Sequence, residues 1–194
     1  MSLAVTLQQE GHLAEAEALQ RQALEIQRRV LGPEHPDTLS NMVNLAATLR
    51  REDHYSEAEK LERQAVDALT RLRGPEHPFT LTAIDELAQT LEKEGRYDEA
   101  EKLERQTVDS MRRVLGPEHP DAASAAYHLA VVLTHNRHSD EAISVLRAAI
   151  DHGLDPATDL AMATNPDLKP LRKDPRFEAL VSYAQQRATP PRRN

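Results

Sequence analysis

The chain has 194 residues with 32 Asp and Glu against 24 Lys and Arg, a formal net charge of −8 in a composition that is 39% hydrophobic and 29% charged. That balance excludes a general attraction to nucleic acid or anionic membranes, which needs clustered cations, and no run nears the ~20 apolar residues of a membrane span. Cysteine is absent, which excludes disulfides, thiolate metal sites and cysteine nucleophiles and fits a cytoplasmic location; six Gly, two Phe and no Trp argue against a glycine-rich nucleotide fold or an aromatic-rich sandwich.

In chain order, residues 1–31 read as a partial unit that begins partway through a helix A. Helical arrays carry a cap at each end, so the expectation is a piece of a longer polypeptide or an N-terminal face that meets another chain. Gly32-Pro33-Glu34-His35-Pro36 then forms a turn, and Pro36 suits the first turn of a helix, where its missing N–H costs nothing. Leu39, Met42, Leu45, Ala46 and Leu49 follow at the three-and-four spacing of one buried helical face, predicting a helix A that stops around 51–54. Ser56-Glu57-Ala58-Glu59 reads as a capping box opening helix B. The buried stripe of helix B is Ala58, Leu61, Ala65, Ala68, Leu69 and Leu72, and Gly74-Pro75 ends it.

The pattern then repeats. Gly-Pro-Glu-His-Pro recurs at 74–78 and 116–120, 42 residues apart each time, and the octapeptide 57–64 reappears unchanged at 99–106. Units 32–73, 74–115 and 116–157 therefore follow the partial first one, and the repeat array spans 1–157. Small residues at Ala46, Ala58 and Ala65 let helices A and B approach closely. One pair cannot bury both of its faces, so the units stack into an all-α solenoid. The tail leaves the period: 158–188 reads as a capping segment, with a helix opening at Asp174-Pro175 that presents Phe177, Leu180, Val181 and Tyr183, and the Pro- and Arg-rich 189–194 reads as disordered.

The positions Leu45-Ala46, Leu49, Tyr55, Ala58 and Ala65, with Leu87-Ala88, Leu91, Gly95, Tyr97 and Ala100, resemble the signature of the tetratricopeptide repeat family. The 42-residue period with Leu-Gly-Pro-Glu-His-Pro is similar to its kinesin light chain type and to bacterial arrays. Departures are Asp53 and Arg137 in place of Gly and Ser139 in place of Tyr. The resemblance implies a right-handed α-solenoid of antiparallel helix pairs whose A helices line a concave groove for a peptide or protein partner. Projected residue by residue, that groove takes Asn44, Ala47, Arg50 and Arg51 from the second unit. The third unit supplies Asp85, Glu86, Gln89, Glu92 and Lys93, and the last supplies Tyr127, His128, Val131 and His135. Asn44 matches the Asn that grips a peptide backbone in this family. The charges suggest a partner with an acidic group facing Arg50-Arg51 and a basic one facing Asp85-Glu86.

Nothing in the sequence forms a catalytic constellation: there is no glycine-rich phosphate loop, no His-Glu-x-x-His and no Gly-x-Ser-x-Gly. The repeated Glu-His pairs at 34–35, 76–77 and 118–119 stand on the order of 10 Å apart and cannot converge on one metal ion. Their expected work is at the turn, satisfying free N–H groups where helix A starts. No cofactor or metal is expected. The reading is a non-catalytic protein-interaction scaffold. Its alternatives are a regulatory or sensor portion of a larger bacterial signalling protein, such as a Ser/Thr kinase, and a homotypic assembly module.

Overall fold

The computed structural model describes residues 3–188; the tail 189–194, expected to be disordered, lies outside them. Every regular element among the described residues is helical, and the chain divides into two compact units, Met1–Arg96 and Tyr97–Asn194. The division falls between the A and B helices of the third repeat.

The first unit holds α1 (Leu3–Glu10), α2 (Leu13–Val30), α3 (Pro36–Arg51), α4 (Tyr55–Arg73) and α5 (Pro78–Lys93), each packed against the next. Its core is the predicted stripe: Leu39, Met42, Leu45, Ala46 and Leu49 of α3 meet Ala58, Leu61, Ala65, Ala68 and Leu69 of α4, joined by Leu24 from α2. Ala46, Ala58 and Ala65 are completely buried. Leu72 departs from the expected stripe and is 52% exposed, since it sits in the last turn of α4.

The second unit holds α6 (Tyr97–Leu115), α7 (Pro120–His135), α8 (Ser139–Asp151), α9 (Pro156–Ala161), a 3-10 helix (Pro166–Lys173) and α10 (Pro175–Ala188). α6 packs on α7 and α7 on α8. The 3-10 helix lies on α7, while α10 contacts α8, α9 and the 3-10 helix. Leu168, Leu171, Phe177 and Leu180 are buried in these contacts, and the Tyr183 hydroxyl donates to Asp151 at 2.6 Å under the Arg147 guanidinium.

The turns are built as the repeated pentapeptide requires. Pro36, Pro78 and Pro120 open their helices. The preceding histidine is the N-cap each time, its Nδ1 accepting from the backbone N–H of Asp37, Phe79 or Asp121 at 3.2 Å. Gly74 closes α4 at φ 91°, a conformation that a residue with a Cβ rarely adopts. The capping box expected at Ser56–Glu59 does not form. α4 starts one residue before Ser56, its N-cap His54 makes no side-chain cap bond, and Glu59 turns instead to Arg63 and Arg96.

Candidate functional site

The predicted groove positions divide by how the A helices pack. Asn44 and Arg51 are exposed on α3, Ala47 is half-buried between them, and Lys93 is exposed at the end of α5. Asn44 lines a cleft of about 470 Å³ with Ser40 and Asn41 of α3 and Leu19, Ala23 and Gln27 of α2. Asn41 closes the floor of that cleft, donating to the Gln20 carbonyl at 2.9 Å and to Gln27 at 3.0 Å.

Other projected positions face inward. Asp85 and Tyr127 stand one period apart, in register with Val43, and all three are buried. Helix geometry explains this, since one residue along a helix turns about 100° and carries the side chain from the open face toward a neighbour. Glu92 and Val131 are buried as well.

Arg50 is the principal correction to the expected polarity. Its guanidinium donates to the Glu86 carboxylate at 2.6 Å and the Glu86 carbonyl at 2.9 Å, reaches Gln89 at 3.2 Å, and lies 3.5 Å from Glu62. Only 14% of that side chain is exposed. Arg50 and Glu86 thus neutralise each other within the first unit, where the sequence suggested two opposite charges turned outward to a partner. Gln89 is held in the same network, donating to Asp85 at 2.9 Å.

Beneath this network is a repeated buried polar pair that the sequence reading missed. Gln20 Oε1 accepts from the Thr48 hydroxyl at 2.8 Å, and Glu62 Oε1, one period on, accepts from Thr90 at 3.0 Å. Burial pushes Glu62 up to about 8, against the pull of Arg50 and the Thr90 hydrogen bond. The signal was available in the spacing: polar residues at 20, 62 and 104 fall on the otherwise apolar stripe of each B helix, with Thr at 48 and 90 and Val132 at the third place.

In the second unit the α7 positions are engaged by the chain itself. Asn165 donates to the Tyr127 hydroxyl at 2.6 Å, His135 lies 3.6 Å from Asp167, and the Tyr97 ring stacks on His135 with centroids 4.4 Å apart. His128 is half-buried beside Tyr127, ring edge to face. His138 lies 3.4 Å from Glu101.

Two family models described as tetratricopeptide repeat match residues 1–71 and 80–121. No curated protein matches the chain. Among solved structures, a putative kinesin light chain from Podosopora anserina with nearly identical TPR-like repeats is 26% identical, with a TM-score of 0.76 over 97% of this chain and 94% of that one. A second crystal structure of that protein scores 0.77 at 26% identity, covering 95% and 90%. BtubC (BKLC) from P. vanneervenii is 23% identical with a TM-score of 0.74, covering 99% of this chain and 82% of its own.

Proposed function

Because the chain belongs to the tetratricopeptide repeat family, with repeats of the kinesin light chain kind, we propose that it is a non-catalytic module that binds a peptide or protein segment along its A helices. Such repeats mediate protein–protein interaction, and the finer reading rests on one observation: Asn44 is exposed at the edge of an open cleft of about 470 Å³. A side-chain amide donates and accepts at once, which is what the backbone of an extended segment requires. Arg51 and Lys93 are exposed on α3 and α5, Lys93 with its ammonium 3.1 Å from Glu92, and their charge supports a segment that carries an acidic group. On α7 the counterpart of Arg51 and Lys93 is His135, 3.6 Å from Asp167 of the 3-10 helix, which supports a capping role for that helix and places the reading on the first unit.

A peptide-library screen on the intact chain, run beside Asn44→Ala and Arg51→Glu, tests this. Peptides retained by the wild type are expected to bind about tenfold more weakly to Asn44→Ala, the cost of one hydrogen bond pair left unmade. Acidic peptides are expected to lose further in Arg51→Glu. Equal binding by all three proteins, or an empty screen with a folded chain, overturns the reading.

A further inference from the structure

The turn from helix A to helix B carries a side-chain cluster whose composition changes from repeat to repeat at fixed positions. The first member is constant: Glu17, Glu59 and Glu101, 42 residues apart, each bound by the Arg four residues on. The second is Glu52, Glu94 or Asn136, and the third is His54, Arg96 or His138. At Glu59 and Glu94 the two carboxylates are bridged by a cation, Arg96 Nη1 donating to Glu59 at 2.8 Å and to Glu94 at 3.0 Å. Although burial raises Glu59, Arg96 and Arg63 together hold it below the usual carboxylate range. At Glu101 the second carboxylate is gone, and the Asn136 amide donates to Glu101 at 2.6 Å.

The earliest cluster keeps both carboxylates and lacks the bridging guanidinium. Glu17, Glu52 and His54 bring one donor atom each within 4.8 Å of one another. Glu52 Oε2 is shielded from solvent and has no hydrogen-bond partner. Arg21 does not fill the role of Arg96. It binds Glu17 Oε1 at 2.6 Å and is clasped by both oxygens of Glu57 at 2.7 and 2.8 Å, so its guanidinium is divided between these two carboxylates and does not bridge Glu17 to Glu52. The backbone presenting Glu52 and His54 is fixed, with the Glu52 N–H donating to Leu49 at 3.1 Å and the His54 N–H to the same carbonyl at 2.9 Å.

From this comparison we infer that Glu17, Glu52 and His54 form a binding site for one divalent cation of the zinc class, which takes the place that the Arg96 guanidinium holds in the following repeat. Two carboxylate oxygens and one imidazole nitrogen are a donor set zinc accepts, with water as the fourth ligand. His54 is exposed, which leaves that fourth position open to solvent. A single imidazole disfavours calcium and magnesium, which take oxygen donors.

The test is calorimetric titration of the intact chain with zinc sulfate, with folding checked by circular dichroism. The wild type is expected to bind one zinc per chain at this cluster. Glu52→Gln and His54→Ala are each expected to weaken that event by at least about tenfold, since even outer-sphere losses cost that much. His138→Ala, at the equivalent place in the last repeat, is expected to leave it unchanged. His54→Arg rebuilds the Glu59–Arg96–Glu94 arrangement; its Tm is expected to rise without metal and to stop responding to zinc. Wild-type affinity in both Glu52→Gln and His54→Ala, or no zinc binding by the wild type, overturns the site. If His54→Ala does not fold, Glu52→Gln decides alone.

Discussion

Glu62 and Gln20 occupy one register of the repeat, and the difference of a single heavy atom between their side chains makes stability depend on pH. Each accepts a hydrogen bond from a buried threonine. The amide is neutral at every pH, whereas the carboxyl is held up to about 8 by burial, above the roughly 4.3 of a glutamate in the unfolded chain. Between those two values the folded state keeps a proton that the unfolded state releases, so this group's contribution is full below about pH 4.3 and declines as pH rises through 8. Glu62→Gln is therefore expected to match the wild type near pH 4 and to exceed its urea midpoint at pH 8.5. A midpoint difference that does not change with pH would refute a raised Glu62.

The helices and their boundaries were readable because each rests on short-range chemistry. Proline at the first turn, histidine as N-cap and a glycine at positive φ all act within five residues, and the Gly-Pro-Glu-His-Pro string states them three times. The capping box failed for a related reason. Ser56–Glu59 satisfies the pattern, but Glu59 finds guanidiniums on its own helix and 37 residues away, which compete better than a cap. Where the family has glycine, Arg137 sits at φ 64° and Asp53 at φ 61°, a conformation that costs an ordinary residue roughly 1–2 kcal/mol. Arg137→Gly is thus expected to stabilise the second unit by about 1 kcal/mol in denaturant unfolding. Asp53→Gly is expected to gain less, because the Tyr55 hydroxyl donates to the Asp53 carboxylate and that bond is lost with the side chain.

At the scale of the whole chain, no helix among the described residues is long and apolar enough to cross a membrane, and stacked helix pairs were legible from periodicity alone. The groove was legible only in part. Asn44 and Arg51 are exposed on α3, but Arg50 with Glu86 and Tyr127 with Asn165 are tied up in contacts between elements about 36 to 38 residues apart. Periodicity identifies which face of a helix is apolar; it does not say which polar groups on the remaining faces meet across neighbouring elements. The Glu17, Glu52 and His54 cluster escaped the sequence reading on the same grounds, since no motif spans the 35 residues between Glu17 and Glu52.

The fixed register of these cross-element pairs bears on how the chain can change length. Excising residues 32–73 would bring α2 directly before α5. Gln20 would then find Thr90 where it now has Thr48, Arg21 would find Glu99 in place of Glu57, and Glu17 would face Glu94 with Arg96 already beside it. Leu81, Leu87, Ala88 and Leu91 would stand in for Leu39, Leu45, Ala46 and Leu49. The shortened chain is expected to remain helical and to unfold cooperatively in urea, and loss of that cooperative transition would show that the repeats are less interchangeable than their pairings. Recombination between repeats that share a register can therefore lengthen or shorten such a protein by whole repeats, with each new junction inheriting partners from the old.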